Sequence, residues 1–336
     1  MGYSSQAGQV ILRTQDTPGT LASDLGTAGV AVKLRSGSLA ANRDLLIPDP
    51  EIGGGRDTAD AYLGAVSFSG DYEFYPRLES ITTLLRAALG TANSAAATGV
   101  NTHTITPSDA AQLPMLSVEE KIGDGLETFN YTDAVVNTFH LESEANGYLQ
   151  GTAGLIAKRQ VAGVTPTTDP DWDNTPLIVG TNITVTFNGV TIPAKSFSLD
   201  VNNNFEDDDF RLGSFFLGDL TPKSREVTAS ISVRHDGGDL WRQATYGQAS
   251  AVTPGGIITK GPLVISMKTY ETIAGSTPPT VGSLDIAIGQ AVLTPFGYSP
   301  SGDDVLENDI DIRGIRPNPA TPILSAVVKN GRADIA

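Results

Sequence analysis

Alternating apolar and polar positions divide this chain into short strands that are separated by turns. Residues 66–69 and 113–118 alternate, and the apolar residues of 78–89, between them, recur at helical spacing. Gly90 predicts the end of this helix, because glycine adopts a positive φ without a Cβ clash. The pattern therefore predicts a strand, a helix, a glycine, a loop and a strand, in that order.

The same order of elements recurs later in the chain. Residues 229–233 alternate, 238–246 predict a second helix that Gly247 ends, and 262–267 alternate again. Loop lengths differ between the two copies, but the order is retained. We interpret the repetition as a duplicated module. Two unrelated segments of similar appearance are the alternative, since strand–helix–strand patterns are common in β-rich chains.

Other segments complete the prediction of secondary structure. Residues 63–75 predict a strand or a hairpin that turns at Gly70-Asp71, and Asn188-Gly189 is the preferred two-residue hairpin turn. The small residues of 90–101 predict a loop. Further alternating segments predict strands at 30–34, 113–121, 126–131, 133–143, 148–160, 183–187, 191–201, 226–234, 263–273, 283–294, 305–313 and 323–328.

The predicted fold is mostly β, with two tandem β-sandwich or barrel modules. Each module carries a short flanking helix, and long loops and arms connect the elements. Residues 1–28 are expected to form an N-terminal arm, 29–163 the first module, 164–180 a proline-containing linker and 181–336 the second module. Inside the first module, 44–62 lacks periodicity and is expected to be a long arm.

Composition supports this fold class and restricts the function. The chain has 36 Gly and 20 Pro, and 18% of its residues are charged, as is typical of turn-rich β proteins. It contains no cysteine, which excludes disulfides and thiolate metal sites. A net charge of −16 opposes binding to nucleic acid or to an anionic membrane, although a protein could still enclose DNA without binding it. No secretory signal or apolar span is expected.

Candidate chemistry is sparse. The histidines at 103, 140 and 235 form no metal-binding pair. An acidic segment resembles a calcium loop, but Phe205 and Arg211 occupy the positions where an EF-hand needs glycine and glutamate. We expect a solvated acidic loop at Glu206, Asp207, Asp208 and Asp209. Neither a nucleophile elbow nor a P-loop is present, so we predict no catalytic residue, cofactor or metal ligand, and no enzyme.

Several segments in succession carry a family resemblance. They are 71–76 running into 84–90, 102–107 followed by Leu113-Pro114, and 196–203 reaching Leu212-Gly213. Taken in this order, they resemble the major tail tube proteins of long-tailed, siphovirus-type bacteriophages. The resemblance covers most of the chain, and the succession of the segments carries it.

The resemblance implies a structural, self-assembling subunit of the virion tail, made in the host cytoplasm. Members of this family form rings that stack into a tube, and double-stranded DNA passes through the lumen without specific binding. A chain with two modules implies a trimeric, pseudo-hexameric ring, with a hexamer of single modules as the alternative. The implied partners are other copies of the chain and the tail tape-measure, tail terminator and tail-tip proteins, with no membrane.

Within this frame, 44–62 is the candidate inter-ring arm, and 1–28 and 297–320 are weaker candidates. The candidate contact residues of 44–62 are Pro48, Pro50, Gly53, Gly54, Gly55, Arg56 and Asp57. Two other functions stay open on composition alone. A bacterial surface or adhesive β protein would share the glycine and threonine content. A carbohydrate-active β-sandwich enzyme would need aromatic platforms and a spaced acid pair that the sequence does not indicate.

Overall fold

A computed structural model of the chain describes residues 3–53, 56–57, 60–235, 237–298, 302 and 305–335. Within these residues nineteen strands form antiparallel ladders, which confirms the predicted mostly β fold. The strands of the earlier part of the chain are β1 (Gln9–Thr14), β2 (Val30–Val32), β3 (Leu34–Ser36), β4 (Ala40–Leu46), β5 (Tyr62–Phe74), β6 (Gly90–Ala97), β7 (Val100–Pro107), β8 (Leu116–Ile122), β9 (Glu127–Glu144), β10 (Gln150–Ala157) and β11 (Arg159–Ala162). Those of the later part are β12 (Ile183–Phe187), β13 (Val190–Ile192), β14 (Ala194–Asn202), β15 (Glu226–Arg234), β16 (Gly261–Thr272), β17 (Val281–Leu293), β18 (Glu307–Ile315) and β19 (Leu324–Asn330).

In the described part of the chain, three short α-helices accompany the strands: α1 (Leu25–Ala28), α2 (Ser80–Leu89) and α3 (Asp239–Tyr246). Both predicted helices are confirmed, and each ends at its predicted glycine, with φ of 115° at Gly90 and 89° at Gly247. Helix α2 is almost wholly buried, whereas α3 buries only Gln243 and Ala244. No helix in the described part of the chain combines the length and apolarity needed to cross a membrane.

The two parts of the chain share one pattern of strand pairing. In the earlier part β1 pairs with β2 and β8, β5 with β4 and β10, and β9 with β8, β10 and β11. In the later part β12 pairs with β13 and β16, β15 with β14 and β18, and β17 with β16, β18 and β19. Each of these ladders of the earlier part thus has a counterpart in the later part, whereas the short β3–β5 ladder has none among the described residues. The helices also correspond, since α2 follows β5 and α3 follows β15.

Two ladders connect the two parts directly. Strand β14 pairs with the second half of β9, from Ser196 opposite Glu144 to Asn202 opposite Thr138. Strand β19 pairs with β7, which belongs to a β6–β7 hairpin without a counterpart in the described later part. Apolar side chains from both parts therefore share one large core, in which Phe139 of β9 and Val201 of β14 lie opposite each other.

The loop predicted at 90–101 is wrong. Residues 90–97 form β6, which pairs along its whole length with β7, from Gly90 opposite Pro107 to Ala97 opposite Val100. Strand β6 consists mainly of small residues and exposes most of them, so its own sequence has no apolar alternation. Its partner β7 supplies the buried side chains, including His103 and Ile105. The strand is therefore specified by its neighbour.

Of the two structures predicted for 63–75, the strand is confirmed, and the hairpin turning at Gly70 is wrong. Strand β5 runs without interruption through this position, and Gly70 pairs with Leu155 of β10. A Cβ atom at Gly70 would lie 2.1 Å from the carbonyl oxygen of Ser38. Glycine is needed here because a neighbouring backbone approaches closely, which is one of the reasons for glycine inside a strand.

Parts of the expected N-terminal arm and linker are packed onto the fold. Strand β1 lies between β2 and β8, with Val10, Ile11 and Leu12 buried, so this portion of 1–28 belongs to the sheet. In the linker, Trp172 bridges to Ala31. The segment 164–180 therefore follows the surface of the earlier part of the chain before β12 begins.

Candidate assembly surfaces

Two histidines form hydrogen bonds to side chains of neighbouring strands. His103 is fully buried, with its ring nitrogens 2.8 Å from Ser94 Oγ and 3.1 Å from Asn330 Oδ1. His235 Nε2 lies 3.0 Å from Asn308 Oδ1. The described residues contain no group of three or more side chains that could hold a metal ion.

His140 lies at the junction between the two parts of the chain. Its Nδ1 is 2.7 Å from Oδ1 of Asp200, which faces it across the β9–β14 ladder. Its Nε2 is 3.5 Å from Oε2 of Glu142. The hydrogen bond to Asp200 raises the pKa of His140, because it favours the protonated ring. These exposed side chains join β9 to β14 across the junction, and we assign them the role of holding the two strands in register.

The loop 203–225 between β14 and β15, here called the clasp, extends from the later part of the chain onto the earlier part. Asn203 is buried, and its Nδ2 donates hydrogen bonds of 2.9 Å to the carbonyl oxygens of Ala88 and Val136. Arg225 Nε donates to Asn203 Oδ1 at 2.9 Å. A buried amide therefore fixes the start of the clasp against the end of α2 and against β9.

Apolar contacts continue along the clasp. The Val66 N–H donates to the Phe215 carbonyl at 2.8 Å, and the Arg159 guanidinium lies 5.3 Å from the centre of the Phe216 ring. A separate buried cluster joins clasp residues to the earlier part and comprises Phe205, Leu217, Leu220, Leu113, Met115, Val135 and Ile156. The clasp thus joins the two parts of the chain through its buried residues, whereas its middle, 210–216, is exposed.

The predicted acidic loop forms part of the clasp. Asp207 and Asp208 are exposed. Asp209 lies 2.6 Å from Arg211, and the hydrogen bond from this guanidinium lowers the pKa of Asp209. Arg211 also lies 2.9 Å from Asp219. Ion pairs within the loop therefore neutralise part of its charge.

The segment 44–62, here called the arm, connects β4 with β5. Their ladder runs from Ala40 opposite Ser69 to Leu46 opposite Tyr62, so both ends of the arm are strand. All residues of β4 are exposed, and its outer edge pairs with no strand in the described part of the chain. The described ends of the arm therefore form an exposed two-stranded ladder with one free edge.

The arm exposes many of its residues, and several of them are apolar. The candidate residues Gly54 and Gly55 lie outside the described residues, and the others, Pro48, Pro50, Gly53, Arg56 and Asp57, are exposed. The exposed large apolar side chains of the arm and of the start of β5 are Leu45, Leu46, Ile47, Ile52, Tyr62 and Leu63. Apolar residues clustered on an exposed hairpin are typical of an interaction surface.

A second exposed surface consists of aromatic rings around α3. Trp241 stacks on Tyr298 with ring centres 5.6 Å apart, and Tyr246 packs edge-on to Trp241 at 4.9 Å. His235 stacks on Phe296 at 5.6 Å. All five rings are partly exposed. Sequence reasoning missed this cluster, although the alternation of Phe296 and Tyr298 directly after β17 was an available signal.

A family model described as phage tail tube protein matches residues 5–314 of the chain. A search of curated proteins gave no significant match. The matched range includes the arm, the junction, the clasp and the aromatic cluster.

Proposed function

The chain belongs to the phage tail tube protein family, and on this premise we propose that it assembles into stacked rings forming the conduit of a long-tailed phage. The family is structural rather than enzymatic, and its members are components of the virion tail. We propose synthesis in the host cytoplasm before incorporation into the tail. The genome would pass through the lumen from capsid to host.

The repeated pattern of strand pairing supports a ring of three chains. We propose that 29–163 and 181–336 are two tail-tube modules joined by the linker 164–180, with β1 completing the sheet of the first module. Three such chains supply six modules, and a closed ring needs the same contact repeated around an axis. The β9–β14 ladder and the clasp already provide one module-to-module contact within each chain.

Stacking of rings needs a second kind of contact, which does not close on itself. We propose that the tip of the arm provides it, with Pro48, Pro50, Gly53, Gly54, Gly55, Arg56 and Asp57 as the contacting residues. The exposure of the described members of this set supports the assignment. The tape-measure, terminator and tip proteins of the tail would contact the lumen and the two ends of the tube.

Deletion of residues 50–58 tests the arm. We expect the variant to fold and to form rings but no tubes, because the contact between rings is removed. Negative-stain electron microscopy at rising protein concentration measures this, with rings roughly 100 Å across on the scale of several domains around a circle.

A matched control replaces 50–58 with nine glycine and serine residues, which keeps the length and removes the sequence. Tubes formed by the deletion variant would contradict the role of the arm. Unmodified protein that stays monomeric at all concentrations would contradict the proposed function itself.

The net charge of −16 supports a lumen that repels DNA phosphates. Repulsion would let the genome slide without binding to the wall. A map of the assembled tube that shows a lumen lined by lysine and arginine would contradict this proposal.

A further inference from the structure

We infer that the free edge of β4 pairs with residues 294–298 of the next copy in a ring, while the base of the arm covers that copy's aromatic cluster. The inference rests on the proposed function and adds the partner surface and the register of the contact. The inference is based on the internal junction between β9 and β14. These two strands are the counterparts of β17 and β4, and they are already paired within one chain.

The internal junction is the template for this contact. Strand β14 and the clasp of the later part cover β9 of the earlier part. The shared pairing pattern makes β4 the counterpart of β14, and the arm the counterpart of the clasp, since each precedes the strand that leads into a helix. It also makes β17 the counterpart of β9. Among the described residues, β4 and the segment that follows β17 lack the partner strand that their counterparts have.

On β17 and the segment after it, which would accept β4, the register follows from pairs of buried residues that face each other. Val136 of β9 lies opposite Leu155 of β10, and Leu293 of β17 lies opposite Ile312 of β18, with all four side chains buried. When Val136 is aligned with Leu293, His140 corresponds to Gly297, because each lies four residues further along its segment.

The register on the donating side follows in the same way. Phe68 lies opposite Ala41 of β4, and Val227 lies opposite Val201 of β14. Aligning Ala41 with Val201 places Ala40 in the position of Asp200. Because Asp200 faces His140 in the internal ladder, Ala40 should face Gly297 of the neighbouring copy.

Burial supports this alignment. Phe139 and Leu141 of β9 are fully buried beneath the internal junction. Their aligned counterparts, Phe296 and Tyr298, alternate in the same way but are partly exposed in the single chain. One side of this segment already contacts β18, since the Thr294 N–H donates to the Asp311 carbonyl and Asn308 Nδ2 donates to the Gly297 carbonyl. A further strand would add on the other side through the remaining backbone groups, since Pro295 has no N–H to donate.

The arm has the composition that this contact needs. In the clasp, Phe205, Leu217 and Leu220 are buried against the earlier part of the chain. In the arm, Leu45, Leu46 and Ile47 are all more than half exposed. A neighbouring copy that presents its aromatic rings would bury these side chains as the clasp buries its own.

The absence of natural cysteine allows a direct test by disulfide formation. The double variant Ala40→Cys and Gly297→Cys, assembled and mildly oxidised, should give a covalent product of three chains on a denaturing gel. The matched control is Asp200→Cys with His140→Cys, which should form an internal disulfide and leave the single-chain mass unchanged. A second measurement uses Trp172→Phe, so that Trp241 alone reports, and should show acrylamide quenching of Trp241 reduced by at least twofold on assembly.

The outcomes separate the inference from the proposed function. Tubes that form without a covalent product, while the control disulfide is present and Trp241 stays accessible, would overturn the register and leave the tube function standing. Covalent ladders longer than three chains would place the contact between rings and also overturn it. Absence of any rings or tubes in the unmodified protein would overturn both.

Discussion

At the scale of single residues, Asp173 shows how a buried carboxylate joins the linker to α2. The side chain is fully buried, and its Oδ2 accepts hydrogen bonds from the Glu79 N–H at 3.1 Å and the Ser80 N–H at 2.6 Å. Its Oδ1 accepts from the Thr175 N–H at 2.9 Å. Glu79, which precedes the helix in sequence, makes no capping hydrogen bond. The helix is therefore capped from nearly a hundred residues away in sequence.

Replacing Asp173 with alanine should lower the free energy of unfolding by about 1–3 kcal/mol, because buried N–H groups lose their acceptor. Thermal unfolding followed by circular dichroism measures the change. Asp169→Ala is the control, since Asp169 is an exposed residue of the same linker. Equal stability of the two variants would show that the cap contributes nothing.

At the scale of elements, the sequence predicted the turns and helix ends that a few neighbouring residues specify. Asn188 and Gly189 have φ of 50° and 79°, as the predicted two-residue hairpin turn requires, and α2 and α3 end at their glycines. Strand β6 could not be predicted, because its partner β7 determines it. The same holds for the clasp, whose buried residues form their contacts with segments far away in sequence.

The end of α3 allows two roles of glycine to be separated. Gly247 and Gly213 have φ of 89° and 84°, so alanine is strained at both, by about 1–2 kcal/mol. A Cβ at Gly247 would also lie 1.9 Å from the Ile257 carbonyl oxygen, whereas nothing lies within 4 Å at Gly213. Gly247→Ala should therefore cost about 1–3 kcal/mol more than Gly213→Ala in urea unfolding. Equal losses would contradict the close approach.

At the scale of the whole molecule, repetition was predictable and the surfaces it creates were not. The order of strand, helix and glycine could be recognised in both parts of the chain, and the low periodicity of 44–62 indicated an arm. The alternation of Phe296 and Tyr298 indicated only part of the aromatic cluster, because Trp241 and Tyr298 come together only through folding. Which edge pairs within the chain, and which stays free, likewise depends on how the two parts associate.

The net charge of −16 predicts that assembly depends on salt. Copies of an acidic chain repel each other, and the screening length falls from about 30 Å at 0.01 M to about 8 Å at 0.15 M ionic strength. The protein concentration needed for rings or tubes should therefore fall several-fold over this range, as measured by light scattering. Sucrose at matched osmolality is the control. A threshold that rises with salt would show that attraction between charges drives assembly.

In the proposed ring, the linker that joins the two parts would also change the kinetics of assembly. Because β9 and β14 belong to one chain, their contact forms during folding, at the high effective concentration that a tether provides. Six separate modules would need five association steps to form one ring, whereas three tethered pairs need two. Fewer free partners mean fewer incomplete rings, so the covalent connection would keep nucleation fast when the chain is scarce.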